Sequence, residues 1–283
     1  MAAKFLGQYL LEEGLIDKAQ LLAALDLQRA SNPVLGELAQ ARGMLDAAQA
    51  QLINERQRSQ DKRFGDIAQA LGLLDAAQVE ELLAQQNAQR KLFGEILLEQ
   101  GMLSRDQLDH ALQAQSAERK DAVQALELGV TAHAVGPALE IAIGHCNKLF
   151  TRILRTPCQF SRLVASPADL VAFSVTGHVR VDAEPPLTIA IACGRPTMAN
   201  IASAFLSMPA LECDDGLARD ALGEMINVLM GYVVKDTVPD DARYRASPPE
   251  FGTAIDALMA RPEKALAVLM VSELGPFVLL AGR

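Results

Sequence analysis

The sequence predicts an all-α region of four helical hairpins in residues 1–117, followed by an α/β domain in residues 118–283. Two observations lead to this division. Glycines recur every 29 residues through the first region, and each is followed seven residues later by a second glycine. Beyond residue 117 this spacing stops, and short apolar runs typical of strands appear instead. A chain of 283 residues is long enough for two domains that each bury a core.

The glycine pairs define four 29-residue units. In chain order the pairs are Gly7 and Gly14, Gly36 and Gly43, Gly65 and Gly72, and Gly94 and Gly101. The second glycine of each pair lies where the end of a short helix often needs a positive φ angle. Three residues later stands a residue that commonly begins a helix, namely Asp17, Asp46, Asp75 or Ser104. Each unit is therefore predicted to be a helical hairpin.

The first helices of the units are of two kinds. Units one and four carry paired leucines, and units two and three carry alanine followed by glutamine. These pairs are Leu10–Leu11, Leu97–Leu98, Ala39–Gln40 and Ala68–Gln69. Every unit closes with a glutamine, at Gln28, Gln57, Gln86 and Gln115. The two middle units are thus predicted to have the more polar first helices.

The unit at residues 5–28, FLGQYLLEEGLIDKAQLLAALDLQ, resembles the N-terminal MshEN domain of type II secretion and type IV pilus assembly ATPases. In that family, two such motifs joined by a five-residue spacer bind cyclic di-GMP, which implies the period of 29. The family's arginine, two residues before the leading glycine, is present as Arg63 in the third unit. The other units have Phe5, Val34 and Leu92 there.

What the first resemblance implies is a cyclic di-GMP site in the third and fourth units. The residues that it assigns to this site are Arg63, Gly65, Gly72 and Gln86. Arginine stacking and bidentate pairing with guanine are not reproduced by apolar side chains. The alternative is a helical scaffold that docks proteins, as many helical repeats do.

The second region combines helices and strands. One or two helices are predicted over residues 123–154, interrupted near Gly136 and Pro137. Strands are predicted at 172–179 and 187–193, and again at 266–272 and 276–281. Helices at 198–205 and 216–234 lie between the two groups of strands. This order predicts an α/β domain with strands before and after a central helical pair.

The second of those central helices carries the candidate chemistry. Asp220, Glu224 and Asn227 fall at i, i+4 and i+7, which places all three on one stripe of the helix. Acid and amide side chains on a solvated helix face are common in themselves. Gly223 and Gly231 flank this stripe although a glycine inside a helix costs about 1 kcal/mol, so a close approach by another backbone is expected. The apolar side that would pack on the sheet contains Leu222, Met225, Leu229, Tyr232 and Val233.

The segment DALGEMINVLMG at residues 220–231 resembles the defining helix of the CheC, CheX and FliY chemotaxis phosphatases. That helix has an acidic residue or serine, then Glu after three residues and Asn after two more. Other segments also resemble this family: VTGHVRVDAEPPLTIAIA at 175–192, MANIASAFLSMP at 198–209, SPPEFG at 247–252 and ALAVLMVSELGPFVLLAG at 265–282. The resemblance spans about 160 residues and implies a CheX-like domain.

The second resemblance implies hydrolysis of the phospho-aspartate on a response-regulator receiver domain. Asn227 would hold the in-line water, Glu224 would pair with the receiver's lysine, and Asp220 would assist at the rim. The magnesium ion belongs to the receiver, so this chain is expected to need no metal or cofactor of its own. The helix around residues 137–150 contains Glu140 and Asn147 without the ExxN spacing, which favours a CheX-like arrangement with one site. CheX-type proteins pair through their sheets, which makes a homodimer compatible with the resemblance.

Several other classes of function are disfavoured. The net charge is −9 and neither half has a basic excess, so no nucleic-acid partner is expected. No run reaches about 18 uncharged apolar residues, and the four dispersed cysteines are typical of reduced thiols, so a cytoplasmic protein without membrane insertion is expected. The four histidines show no metal-binding spacing, and motifs of serine hydrolases, P-loop enzymes and Rossmann dehydrogenases are missing.

Two hypotheses follow from the sequence. The first is an enzyme, a receiver phosphatase whose activity the helical units tune, with cyclic di-GMP as their ligand. The second is a non-catalytic adaptor that binds a response regulator or a pilus or secretion component. Intact Asp220, Glu224 and Asn227 favour the enzyme, whereas the missing arginines and the lack of an ATPase segment favour the adaptor.

Overall fold

A computed structural model describes residues 4–60, 62–239, 243–260 and 263–283. The chain divides into two compact units, Lys4–Glu118 and Arg119–Arg283. The helices of the first unit follow one another as α1 (Leu6–Glu12), α2 (Lys18–Ser31), α3 (Leu35–Ala41), α4 (Ala47–Ser59), α5 (Phe64–Ala70), α6 (Ala76–Gln89), α7 (Phe93–Glu99) and α8 (Arg105–Thr131). The division between the units falls within α8.

The turns inside the helical hairpins depend on the residues that the sequence indicated. Gly14, Gly43, Gly72 and Gly101 have φ angles of 65–68°. The side chains of Asp17, Asp46 and Asp75 accept a hydrogen bond from the backbone N–H of the glutamine three residues on, at 2.7–2.8 Å. In return, the glutamine side chain accepts from the backbone N–H of the aspartate, at 2.9 Å. The predicted caps and left-handed turns are confirmed, since these bonds satisfy N–H groups that a helix start leaves open.

The hairpins associate in nested order. The second hairpin, α3–α4, shares a core with the third, α5–α6, through Leu35, Leu38, Ala39, Leu45, Ile53, Ile67, Ala68, Leu74, Val79 and Leu82. The first hairpin, α1–α2, shares a separate core with the fourth, α7 and the start of α8, through Leu10, Ile16, Ala24, Ile96, Leu97, Leu103, Leu108 and Ala111. The two hairpins with leucine-rich first helices therefore pack on each other, as do the two with polar first helices.

Amide side chains join the hairpins within each pair. The glutamine that closes one hairpin donates through Nε2 to the backbone carbonyl just before its partner's first helix: Gln57 to Lys62 (3.2 Å), Gln86 to Pro33 (2.9 Å) and Gln115 to Lys4 (2.7 Å). Asn32 makes the remaining link with Lys91, through bonds of 3.2 and 2.9 Å. These bonds satisfy carbonyl groups at the half-buried start of each hairpin.

The second unit is a sheet with helices. Its elements after α8 are α9 (Gly136–Leu149), a π-helical turn (Phe150–Leu154), β1 (Cys158–Leu163), a 3₁₀ turn (Pro167–Leu170), β2 (Val175–Asp182), β3 (Leu187–Cys193), α10 (Arg195–Leu206), a 3₁₀ turn (Ala210–Glu212), α11 (Asp215–Thr237), β4 (Arg245–Ala246), α12 (Ile255–Leu258), β5 (Ala265–Ser272) and β6 (Phe277–Gly282). Neighbouring strands are antiparallel throughout, in the order β1-β5-β6-β3-β2-β4. A helix-rich chain with an antiparallel C-terminal sheet is thus observed, which is consistent with the predicted α/β domain.

The strand predictions were correct in part. The run at 187–193 is β3, but the strand predicted at 172–179 begins at Val175 and extends to Asp182. The central helices extend beyond their predicted ranges, to Arg195–Leu206 and Asp215–Thr237. Sequence reasoning missed β1 and β4. The segment CQFSRL of β1 lacks a strict period of two, and β4 has two residues, both of them exposed.

The sheet is covered on both faces. Odd-numbered residues of β2 and β3, such as Val179 and Ile189, lie in the core shared with α9, α10 and α11. Residues of the opposite parity, such as Ala190 and Val278, lie in a second core with Phe173 and Ile255, beside the 3₁₀ turn and α12. Because side chains alternate across a strand, both faces of β3 and β6 are apolar. The helical face is the one that positions the candidate site.

The loop after β1 is held by one carboxylate. The Asp169 carboxylate accepts a hydrogen bond from the Arg162 guanidinium at 2.7 Å. It also accepts hydrogen bonds from the backbone N–H groups of Ala165 and Ser166, at 3.1 and 3.0 Å. The Arg162 hydrogen bond and the two backbone bonds lower the pKa of Asp169 to about 2. Since the charged form is favoured in the folded state, this carboxylate stabilises the fold above its unfolded pKa of about 4.

We predict that Asp169→Asn lowers the free energy of unfolding at pH 7 by about 1 kcal/mol, a value that allows for solvent screening at the one-third exposed Arg162. The stabilisation should be fully present above about pH 4 and be lost as the pH falls through about 2. Denaturant titrations of both proteins between pH 2 and 7 measure this. If the difference in the free energy of unfolding between the two proteins does not narrow towards pH 2, the assignment of this stabilisation to Asp169 is contradicted.

Candidate functional site

Helix α11 is defined by its cap and its buried face. The Asp214 side chain accepts from the backbone N–H of Leu217 at 2.8 Å, which begins the helix. Its buried residues recur at helical spacing: Ala218, Ala221, Leu222, Gly223, Met225, Ile226, Leu229, Met230, Val233 and Val234. Burial of this face against the sheet turns the remaining stripe of the helix outward.

The outward stripe contains the residues that the sequence singled out. Asp220, Glu224, Asn227 and Gly231 are all exposed, and each lies three or four residues from the next. Within the described part of the chain, the side chains of Asp220, Glu224 and Asn227 form no hydrogen bond or ion pair with another residue. Two carboxylates and one amide are therefore available to a partner on a single helix face. We call these three residues the α11 stripe.

One flank of the α11 stripe is the segment after β4. A Cβ at Gly223 would lie 3.1 Å from Pro249 and 3.3 Å from the ring of Phe251, and a Cβ at Gly177 of β2 would lie 2.8 Å from the same ring. The expected close approach at Gly223 therefore exists, but side chains make it, where the sequence had suggested a backbone. Two glycines leave the space that Phe251 fills between β2 and α11.

Main-chain bonds fix that flanking segment to β2. Ser247 donates its backbone N–H to the Arg180 carbonyl at 2.7 Å, and the Arg180 N–H donates to the Ser247 hydroxyl at 3.1 Å. His178 and Glu250 exchange a pair of backbone bonds at 3.0 and 2.9 Å. The residues from 247 to 250 thus continue the edge of the sheet and hold Pro249 beside the helix.

The other flank is α9, which packs along α11. His145 Nε2 lies 2.6 Å from the carboxylate of Asp236, and the His145 and Tyr232 rings lie 5.5 Å apart. The hydrogen bond to His145 lowers the pKa of Asp236. Sequence reasoning missed this contact because its members are 91 residues apart in the chain. The contact fixes the level at which the two helices meet.

Helix α9 repeats the spacing of the α11 stripe with different residues. Glu140, Gly144 and Asn147 again fall at i, i+4 and i+7, with glycine in the place of Glu224. Asn147 is half-buried, and its Oδ1 accepts a hydrogen bond from the Cys158 thiol at 3.1 Å. This amide is engaged inside the protein, in contrast to the open amide of Asn227.

The four residues assigned to cyclic di-GMP lie in different settings. The Arg63 side chain is 76% exposed and its guanidinium forms hydrogen bonds of 3.0 and 3.2 Å with Asp66. Gly65 is buried where a Cβ would lie 2.8 Å from Val79. Gly72 forms the left-handed turn and lines an open depression of about 570 Å³, and Gln86 is bound to the Pro33 carbonyl. Gly65 thus has a role in packing, and Gln86 has one in hydrogen bonding inside the helical unit.

Other features of the described residues are more limited. A cavity of about 760 Å³ is lined by residues including Val135, Asp182, Pro186, Asp236 and Arg283, and does not include the α11 stripe. Across the ranges that the structure covers, His, Cys, Asp and Glu side chains form no group of three or more that could hold a metal ion. None of the helices in those ranges combines the length and apolar character that a membrane span requires.

Comparisons with known proteins give structural similarity alone. No family model and no curated protein matches the sequence. About half of the chain, in its C-terminal part, is similar to the chemotaxis protein CheX of Desulfovibrio desulfuricans, with 11% identity, a TM-score of 0.38, and 52% of this chain and 96% of that chain covered. The CheX–CheY–BeF₃–Mg²⁺ complex of Borrelia burgdorferi gives 15% identity, a TM-score of 0.38 and coverage of 51% and 94%. FliY of Thermotoga maritima gives 18% identity and a TM-score of 0.35, with 52% of this chain and 86% of that chain covered.

We predict that Gly177→Ala lowers the free energy of unfolding by about 1–3 kcal/mol, because the new Cβ would lie 2.7 Å from Ile226 and 2.8 Å from Phe251. The matched control is Gly144→Ala on α9, where a Cβ meets nothing within 4 Å and alanine should stabilise the helix by about 1 kcal/mol. Denaturant titration measures both. Equal stabilities of the two variants would show that Phe251 does not occupy the space at Gly177.

Proposed function

We propose that residues 119–283 bind a response-regulator receiver domain and hydrolyse its phospho-aspartate. The observation that carries this proposal is the α11 stripe: Asp220, Glu224 and Asn227 are exposed on one helix face and have no partner among the described residues. Polar side chains left open on a rigid helix are available to a second protein. Their types and spacing are those that the resemblance to chemotaxis phosphatases implies.

Hydrolysis of an acyl phosphate requires few groups from the phosphatase itself. A water molecule attacks phosphorus in line with the bond to the aspartyl oxygen, and that bond breaks to leave a carboxylate and inorganic phosphate. The receiver supplies the phosphoryl group and its magnesium ion, so the second protein needs to orient the water. The Oδ1 atom of Asn227 can accept a hydrogen bond from this water, and an amide is too weak a nucleophile to attack phosphorus in its place.

The two carboxylates serve docking in this proposal. Glu224 lies one turn before Asn227 and would accept a charge-assisted hydrogen bond from a lysine of the receiver. Asp220, one turn earlier, would meet the rim of the same surface. Because all three side chains project from one helix, a single rigid approach of the receiver brings them into use together.

The surroundings of α11 suit such an approach. Pro249 is held on one side by the bonds between residues 247–250 and β2, and α9 is joined on the other side through His145 and Asp236. Fixed flanks hold the helix that carries Asn227 in one position. Preorganisation of this kind increases the effectiveness of a positioning group.

We also propose that the unit Lys4–Glu118 binds cyclic di-GMP through Arg63. The observation that favours it is the exposure of this guanidinium, which can stack on and pair with a guanine base. Gly72 and the depression beside it lie in the same hairpin, α5–α6. A ligand would compete with Asp66 for the guanidinium. Docking of a protein on these helices is the alternative outcome.

We predict that Asn227→Ala slows dephosphorylation of a CheY-type receiver about 100-fold while its affinity for that receiver changes little, because the amide orients the water in the reaction. Glu224→Ala should weaken receiver binding by about tenfold or more, because a charge-assisted hydrogen bond is lost. Release of inorganic phosphate after labelling with acetyl phosphate, and titration calorimetry with the beryllofluoride-treated receiver, measure the two effects.

The control for the carboxylate is Glu140→Ala, which removes an exposed glutamate from α9. It should leave both hydrolysis and binding unchanged. Tight receiver binding without hydrolysis by the wild type would show an adaptor. Full activity of Asn227→Ala would remove Asn227 from the mechanism even if the phosphatase function itself stands.

We predict that cyclic di-GMP binds the full chain and that Arg63→Ala weakens this binding at least tenfold, as expected for the loss of charge-assisted hydrogen bonds. Asp66→Asn is the matched variant, since it removes the charge that holds the guanidinium and should bind at least as tightly as the wild type. Titration calorimetry measures all three proteins. Absence of heat and of any thermal shift at high ligand concentration would leave the helical hairpins as a protein-docking scaffold.

A further inference from the structure

Helix α11 contains a glycine, Gly231, that has no packing contact to accommodate among the described residues. Gly231 is exposed on the same face as the α11 stripe, one turn beyond Asn227. Glycine weakens a helix relative to alanine, so its presence in the interior of a 23-residue helix calls for a reason. Three reasons are usual: a positive φ angle, the end of the helix, and close contact with another part of the chain.

None of these reasons applies to Gly231. It is not among the described residues with positive φ, and the helix continues to Thr237. A Cβ built at Gly231 meets no atom within 4 Å. Gly223 of the same helix differs, because Pro249 and Phe251 occupy the space over it. No group of the described chain therefore occupies the space over Gly231, and we look for one in a binding partner.

The position of Gly231 relative to Asn227 indicates what would use that space. Four residues along a helix correspond to a rise of about 6 Å, with both residues on one side. For an in-line reaction, Asn227 must come within about 3 Å of the water beside the phosphoryl group. A side chain at residue 231 that extended further than the Asn227 amide would meet the receiver first and hold it away.

We propose that Gly231 is a positioning residue at which the receiver's main chain seats against α11, so that the phospho-aspartate reaches Asn227. This inference rests on the proposed receiver-binding function and deepens it. The docked surface then extends along α11 from Asp220 to Gly231, with the two carboxylates at one end and the bare backbone at the other. The glycine contributes by having no side chain.

The chain offers a matched control in Gly144. It too is exposed within a helix, and a Cβ there meets nothing within 4 Å. The contact between His145 and Tyr232 places it at the same level of the helix pair as Gly231. Gly144 lies on α9, however, where Asn147 is bonded to Cys158 and no open amide follows. The two glycines therefore match in local structure and differ in their relation to the α11 stripe.

The test compares Gly231→Gln with Gly144→Gln in the full chain. Glutamine is a good helix former and polar, so both variants should fold and melt about 2–4 °C above the wild type. Gly231→Gln should bind the beryllofluoride-treated receiver at least tenfold more weakly and lose at least tenfold in kcat/KM on the phosphorylated receiver. Gly144→Gln should match the wild type in both, and Gly231→Ala should fall between.

The outcomes separate this inference from the function on which it rests. A wild type that neither binds nor dephosphorylates CheY-type receivers, including that of Borrelia burgdorferi, would overturn both. A wild type that binds or acts, with Gly231→Gln unchanged, would overturn the role of Gly231 alone. Equal losses of receiver binding and kcat/KM in Gly231→Gln and Gly144→Gln would also overturn the role of Gly231, because the effect would not be specific to the α11 stripe. The proposal is supported if Gly231→Gln alone shows weaker receiver binding and lower kcat/KM while its melting temperature is raised.

Discussion

The candidate site depends on the burial of one face of α11. The helix packs Leu222, Ile226, Leu229 and Val233 into the core beneath it, and each such side chain contributes about 1.5–3 kcal/mol when it leaves water. With 3.6 residues per turn, the buried face fixes which residues point outward. The exposed polar stripe therefore follows from apolar packing on its opposite side. Rotation of the helix by one residue would bury carboxylates without partners, which is strongly unfavourable.

The flanks of α11 are built on a second constraint, the space left by glycines. Gly177 on the sheet and Gly223 on the helix make room for one aromatic ring, Phe251. That ring ties the segment after β4 to the helix, so the edge of the sheet and the helix act as one rigid support. A functional side chain on such a support loses little freedom when a partner binds.

Sequence reasoning recovered what local periodicity determines. The run at 187–193 predicted β3 because both its faces are apolar, and helical spacing predicted which side of α11 is exposed. The aspartate caps and the glycine turns were predicted from their residue types. Contacts between different elements, such as His145 with Asp236 and Asn147 with Cys158, leave no local pattern and were missed. The short strand β4 was missed for a similar reason, since its pairing with β2 sets it.

The nested packing of the helical hairpins restricts how this unit can change in evolution. The first hairpin lies on the fourth and the second on the third, so every hairpin has one specific partner. In an open solenoid, a repeat can be gained or lost at an end while its neighbours keep their interfaces. Here, deletion of one hairpin would expose the apolar face of another elsewhere in the chain. Gains and losses should therefore come in pairs, and the number of hairpins should remain even.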